Sequence, residues 1–246
     1  MNVDRKVVLI SGGARGIARA VALDLATSGW AVAICYRTSA DEAHEVVDSV
    51  RQKGGLVLAE QCDVSDAEAA VAWVERVQRE WGRVDALING AGPYHRVSLL
   101  EETNEGWHSM FDNNLHPVFY LVRAVIPIMK ERKWGRIVSF SMANAEQLIA
   151  QPQLTAHYIT KVGLLALSRS FARVIAADGI TMNCVSPGFI DSGSAPQGEL
   201  DRMVKFIPAG YVGTVGDAVG VVRFLLSDDA RYVNGANIQL SGAWGV

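Results

Sequence analysis

Lys6-Val-Val-Leu-Ile-Ser-Gly12-Gly-Ala-Arg-Gly16-Ile-Ala18 is the stretch on which the reading of this chain turns. Val7, Val8, Leu9 and Ile10 form an unbroken aliphatic run, as expected of a central parallel strand buried on both faces. A glycine-rich turn follows at once, and a helical pattern opens near Ile17. Strand, glycine turn and helix together make the geometry of a nucleotide site. Missing side chains let the backbone approach a pyrophosphate, and the helix N-terminus offers unpaired N–H groups at the positive end of its dipole. The spacing is Gly12-x-x-x-Gly16-x-Ala18, which departs from Gly-x-Gly-x-x-Gly. Turns use glycine for many reasons, so the place of this one behind an N-terminal buried strand carries the weight.

Outward from that stretch the chain alternates. Val21 to Ser28 continues the first helix and Gly29 closes it. Ala31 to Tyr36 reads as a second strand, Leu56 to Gln61 as a third and Val84 to Asn89 as a fourth. Ser39-Ala-Asp-Glu42 and Ser65-Asp-Ala-Glu68 have the form of capping boxes for the two helices between them. A long helical pattern covers Asn104 to Arg132, interrupted by Pro117 and Pro127. Strands at Arg136 to Phe140, Ile180 to Val185 and Ala236 to Leu240 alternate with helices at Leu154 to Ala177 and Asp217 to Leu226. Strict alternation means a parallel sheet with helices on both faces. No composition shift marks a linker, so residues 1–246 read as one α/β domain.

Half of the 246 residues are hydrophobic and the formal net charge is −3, with no basic block, which argues against a nucleic-acid partner. Met1 to Arg5 is polar with no apolar stretch behind it, and no apolar run is long enough to span a bilayer. The expectation is therefore a cytoplasmic protein without membrane contact. Cys35, Cys62 and Cys184 lie in or beside expected strands and read as reduced buried thiols. The five histidines show no metal-ligand spacing, so no metal is expected.

Further stretches then fall into one pattern. Asn89-Gly-Ala-Gly92 ends the fourth strand, and Asn114-Leu115 lies in the long helix. His157-Tyr-Ile-Thr-Lys161 opens the next helix, Pro187-Gly188-Phe-Ile190 follows the sixth strand, and Val233-Asn-Gly235 and Ser241-Gly242 flank the last. In this order and at these spacings the chain resembles the short-chain dehydrogenase/reductase family, closest to its 3-oxoacyl-carrier-protein reductase-like branch, from about residue 5 to residue 242. The resemblance implies a doubly wound Rossmann fold with a seven-stranded parallel sheet, a homotetramer, a nicotinamide dinucleotide and a small carbonyl or alcohol substrate.

For the cofactor, the resemblance implies contacts from Gly12, Ala14, Arg15, Gly16 and Ile17 in the glycine turn. It adds Asp63 and Val64 at the adenine, and Asn89, Gly90, Ala91 and Gly92 along the ribose side. Where Gly90 stands, the family usually has a second Asn. Pro187, Gly188, Ile190 and Ser192 are expected at the carboxamide, Ser192 replacing a usual Thr. Strand two ends in Tyr36-Arg37 rather than in an acid. A guanidinium pairs with a 2′-phosphate that an acid repels, and the resemblance brings Arg15 close too. NADP(H) is therefore expected over NAD(H); two solvated surface arginines are the alternative.

In the family mechanism a hydride moves between nicotinamide and a carbonyl or alcohol carbon. A Tyr handles the proton, a Lys four residues later lowers its pKa, a Ser polarises the carbonyl, and an Asn anchors a water relay. Lys161 and Asn114 match. Four before Lys161 stands His157, and Tyr158 is one residue off. One helical step rotates a side chain by ~100°, so His157 is expected to point along the Tyr direction and Tyr158 away, although neighbours three and four apart on a helix both lie close. The Ser position falls on Met142, and Ser141 is one residue early; adjacent strand side chains face opposite ways.

Three readings stay open on sequence alone. His157 acts as an imidazolium donor, its pKa pressed down by Lys161; or the chain binds a dinucleotide with little turnover; or Met142 and His157 fill a degenerate pocket that binds none. Tyr94 and His95 follow the Gly92 turn, at the substrate mouth or as surface loop residues. Gly193 to Tyr211 resembles a substrate lid, His116-Pro117 a kink in the long helix, and terminal Trp244 an apolar residue suited to burial against another subunit.

Overall fold

The structure, a computed structural model, describes residues 3–193 and 197–245. Strands β1 (Val7–Ser11), β2 (Ala31–Tyr36), β3 (Leu56–Gln61), β4 (Ala86–Asn89), β5 (Gly135–Phe140) and β6 (Ile180–Pro187) form one sheet with a late strand at Asn237–Leu240. Helices α1 (Gly16–Thr27), α2 (Ala40–Gln52), α3 (Ala67–Trp81), α4 (Asn104–Asn114), α5 (His116–Arg132) and α6 (Thr155–Ile175) run between the strands. A short pair, β7 (Ile190–Asp191) and β8 (Gly213–Thr214), brackets α7 (Gln197–Val204), and α8 (Val215–Leu226) leads to β9, the late strand. The seven-stranded sheet has the order β3-β2-β1-β4-β5-β6-β9 and every pairing is parallel. This is the doubly wound α/β Rossmann arrangement expected from the sequence.

The aliphatic run of β1 is continuous because both faces are covered. Val7 and Leu9 pack with Trp73, Val77, Leu121 and Leu164, from α3, α5 and α6. Val8 and Ile10 pack with Val21, Leu25, Val46 and Leu225, from α1, α2 and α8. Ser11 is in register with Cys35 on β2 and with Asn89 on β4. The loops after these three strands therefore open at one level. Between β1 and β4 the chain reverses its winding direction, and that crevice at the carboxyl ends of the strands is where open α/β sheets hold ligands.

Several local expectations give way. Ser39 precedes α2 but its side chain caps nothing. Asp66, not Ser65, caps α3 by accepting from Ala69 N, because Ser65 gives both its N–H and its hydroxyl to Asp63 Oδ1. The long helix is two helices that break at Leu115. Pro117 lies in the first turn of α5, where its missing N–H costs no hydrogen bond, so it starts a helix rather than kinking one. Pro127 does lie inside α5. Neither α7 nor the β7–β8 pair is legible as an element in the sequence reading. The cysteines are free, Cys35 and Cys184 buried and Cys62 half-buried. Among the described residues no helix is long and apolar enough to cross a membrane, and no group of three His, Cys, Asp or Glu could hold a metal ion.

Candidate active site

A cavity of about 600 Å³ lies over the crevice. Every residue assigned to the cofactor from the sequence lines it except Asn89. Asn89 is buried and donates from Nδ2 to Ser139 Oγ at 3.0 Å, leaving Oδ1 without a partner. The floor is backbone. Gly12 has φ +68°, and a Cβ there would lie 2.9 Å from Ala91 Cα. Ser11 Oγ accepts from Gly90 N and Ala91 N at 3.2 and 3.3 Å, which fixes the loop after β4 against the loop after β1. The first turn of α1 holds no acidic side chain and its N-cap, Arg15, makes no side-chain cap. Its N–H groups thus stay available to an anion.

At the other end of the cavity stand the arginines. Arg37 donates from Nη1 to Asn113 Oδ1 at 2.6 Å and lies 3.8 Å from Asp63 Oδ2. Arg15 pairs with Glu42, and both guanidinium side chains are more than half exposed. Thr38, Ser39, Asn113, Cys35 and Cys62 also line this end, and the sequence reading missed all five. For Asn113 the one available signal was its place in an Asn doublet with Asn114.

Beside the cavity, three groups meet at Gly92. A Cβ on Gly92 would lie 2.4 Å from Asn114 Oδ1 and 3.6 Å from Lys161 Nζ. Asn114 is buried at the end of α4, where the helix break turns its Nδ2 onto the carbonyls of Pro93 and Met110, at 3.2 and 3.1 Å. Its Oδ1 has no partner. Lys161 is buried and donates to Phe140 O at 3.0 Å. Burial pulls its pKa down to about 8, the Cys184 thiol opposing.

His157 and Tyr158 diverge as the helical rotation requires. His157 is buried, and its ring meets Tyr94 edge-on with centroids 5.3 Å apart. Burial first, then the Lys161 ammonium, push its pKa down to about 4, against a hydrogen bond with the Pro93 carbonyl. At neutral pH the ring is uncharged, with Nδ1 buried and unpartnered. Tyr158 is no candidate for the proton position. Its hydroxyl donates to Asn144 O at 2.9 Å and accepts from Ile149 N at 3.1 Å, so it staples the loop between β5 and α6.

The Ser141 hydroxyl is likewise occupied elsewhere, against the expectation of a catalytic role. Ser141 lies just past the end of β5 and donates to the backbone carbonyl of Lys161 at 2.8 Å. Met142 is half-buried on a small cluster of Ala145, Leu165 and Cys184. Trp244 rests on Phe189 of its own chain, ring centroids 4.7 Å apart. In the stretch expected to be a lid, residues 194–196 lie outside the described residues. Its later part is α7 and a turn tied to the segment after β9 by Ala209 N to Gly242 O at 3.0 Å.

Residues 12–243 match the family profile described as Enoyl-(Acyl carrier protein) reductase. The chain is 35% identical over 240 residues to the 3-oxoacyl-(acyl-carrier-protein) reductase FabG of Staphylococcus aureus (strain Mu50), spanning 96% of this chain and 97% of the relative. It is 34% identical over 254 residues to the protein of that name from Pseudomonas aeruginosa, spanning 98% of each. The solved structure of a dehydrogenase/reductase from Sinorhizobium meliloti 1021 superposes with a TM-score of 0.90 at 29% identity, over 100% of this chain and 97% of that one.

Proposed function

The chain belongs to the short-chain dehydrogenase/reductase family of oxidoreductases, and from that premise we propose that its cavity takes a nicotinamide dinucleotide, NADP(H) before NAD(H), for slow carbonyl or alcohol chemistry. The observation that carries the reading is the glycine floor between β1 and β4. Gly12 and Gly92 let the loops after β1 and β4 close up on Ala91 and Asn114, which a Cβ at either glycine would strike, and the acid-free first turn of α1 faces the cavity above them. When bound, the cofactor would supply or accept a hydride. Arg37 and Arg15 would hold a 2′-phosphate; the exposed pair Arg15–Glu42 is weak enough to give way to it. Lys161 would hold the nicotinamide ribose, and Pro187, Gly188, Ile190 and Ser192 would line the carboxamide end.

Slow turnover follows from the chain's own groups. His157 is neutral at pH 7 and gives its one N–H to the Pro93 carbonyl, so it offers a substrate oxygen neither that hydrogen nor an imidazolium proton. Met142 brings no hydroxyl, and Ser141 has turned its own onto α6. Loss of one donor to a developing oxyanion costs on the order of 10²–10³ in rate. A second reading, dinucleotide binding without turnover, draws on the same two observations. The printed activity of the relatives makes a 3-oxoacyl thioester the first substrate to try. A cytoplasmic homotetramer is the assembly we propose, its contact helped by exposed Phe119 on α5 and Val174 on α6; a monomer mass by light scattering at micromolar concentration would count against it.

The cofactor reading is tested by titrating NADPH and NADH and following nicotinamide fluorescence. NADPH should bind more tightly, and Arg37→Asp should weaken NADPH selectively by ~1–3 kcal/mol, as for a lost charged hydrogen bond. Equal affinities for the two cofactors would sink the 2′-phosphate argument.

A further inference from the structure

We propose that Tyr94, on the loop after β4, is the proton donor of this site, in place of the phenol that α6 lacks at position 157. The inference rests on the cavity being a nicotinamide site with carbonyl chemistry beside Lys161.

The loop is built to deliver this residue. Gly90 N and Ala91 N are held by Ser11 Oγ, and Asn114 Nδ2 holds the Pro93 carbonyl at 3.2 Å. The next residue is Tyr94. Its ring stands at 76° to the His157 ring, the edge-to-face arrangement that the quadrupoles of two rings favour. His157 is 6% exposed and Tyr94 is 64% exposed, so the phenol ring covers the buried imidazole from the solvent side, next to Pro93 and Gly92, which line the cavity.

Elimination points the same way. Thr160 gives its hydroxyl to the His157 carbonyl, Ser141 to the Lys161 carbonyl, and Tyr158 to the Asn144 carbonyl. His95 is paired with Glu102 at 3.2 Å. Among the described residues Tyr94 has its ring contact with His157 and no hydrogen bond from its hydroxyl. It is the phenol beside His157 that is free to meet a substrate oxygen. In the reducing direction the carbonyl carbon accepts a hydride from the reduced cofactor, which is thereby oxidised. The π pair moves onto oxygen, and that oxygen takes the proton of the Tyr94 hydroxyl. A phenol is far more acidic than the alcohol formed, so this proton moves downhill, and water at the open mouth returns one to the phenolate.

Tyr94→Phe keeps the ring against His157 and removes only the hydroxyl. The substrate probe is acetoacetyl-N-acetylcysteamine, a small 3-oxo thioester, with NADPH. The variant should keep its NADPH affinity by fluorescence within about twofold. Its kcat should fall about 10²-fold, as for a lost general acid. Calorimetry of the thioester on protein loaded with NADP⁺, where nothing turns over, should show about tenfold weaker binding. A wild-type kcat in Tyr94→Phe overturns the assignment. So does the loss appearing in His157→Phe and not in Tyr94→Phe, or a wild-type protein that binds NADPH and reduces no thioester. Failure of the wild type to bind NADPH at all overturns the cofactor reading instead, which separates the two.

Discussion

Acidifying the protein should cost it stability through His157, and the cost can be worked from the structure. The imidazole is buried between the Pro93–Tyr94 loop and Lys161, and its pKa is lowered from 6.5 to about 4. In the unfolded chain the same ring titrates normally. Above pH 6.5 it is neutral in both states and contributes no dependence on pH. Between 6.5 and 4 the unfolded state takes up a proton that the folded state refuses, so stability falls as pH falls. Below 4 both states are protonated and the loss levels off. Each tenfold in proton affinity is about 1.4 kcal/mol, so the full loss is about 3 kcal/mol.

Carboxylates titrate in the same window, so the assay is a difference. Urea unfolding of the wild type and of His157→Phe should be compared at steps from pH 7.5 to 4. Phe keeps a ring against Tyr94 and cannot charge. The variant should lose less stability than the wild type across the window, the gap approaching ~3 kcal/mol at the acid end. Nuclear magnetic resonance of the ring protons gives the titration directly. Removing the Lys161 charge with Lys161→Met should raise the His157 pKa only part of the way to 6.5, because burial is the larger cause. Parallel stability curves for the two proteins, or an imidazole that titrates near 6.5, would refute the reasoning.

Three further outcomes are expected. Tyr158→Phe removes both hydrogen bonds of the loop staple and should lower unfolding free energy by ~1–2 kcal/mol while leaving NADPH affinity unchanged; unaltered urea midpoints would argue against the staple. Gly90→Ala places a methyl 2.7 Å from Ala18 Cβ and 2.8 Å from Ser11 O, at a cost of ~1–3 kcal/mol for overpacking; adding Ala18→Gly should recover part of it, and strict additivity would show the two residues to be uncoupled. The double variant His157→Tyr with Met142→Ser should raise thioester reduction above wild type, since position 157 already faces Lys161 and Pro93; no gain would place the defect elsewhere in the site.

The sheet was legible in the sequence because each strand between two helical layers must be apolar on both faces, as the run Val7 to Ile10 shows. That His157 and Tyr158 part company was legible too, since a helix rotates its side chains by a fixed angle per residue. Where Tyr158 goes instead was not. Its partners Asn144 and Ile149 lie in a loop without periodicity, and Asn144 takes a φ of +71° that no local pattern announces. The caps failed for a related reason. Ser65 and Asp66 can each cap α3, and the choice falls to Asp63, which captures Ser65 from outside the helix. Tyr94 was visible only as a residue after a glycine turn. What gives it a place is the Asn114 amide on the Pro93 carbonyl, a contact across 21 positions of sequence.

Departures from the expected glycine pattern follow the same logic of contact rather than of spacing. Ala18 stands on α1 and Gly90 on the loop after β4, far apart in sequence. In the structure the space that a side chain at 90 would need is filled by the Ala18 methyl. Close approach of helix and strand requires one small residue at that crossing, and either partner can supply it. Here the helix carries the methyl and the loop carries the hydrogen. Read singly, Ala18 weakens the nucleotide turn and Gly90 weakens the loop after β4. Read as a pair, they fill one crossing, the Ala18 methyl taking the space left by the missing side chain at Gly90. Each of the two positions is therefore informative only beside the other.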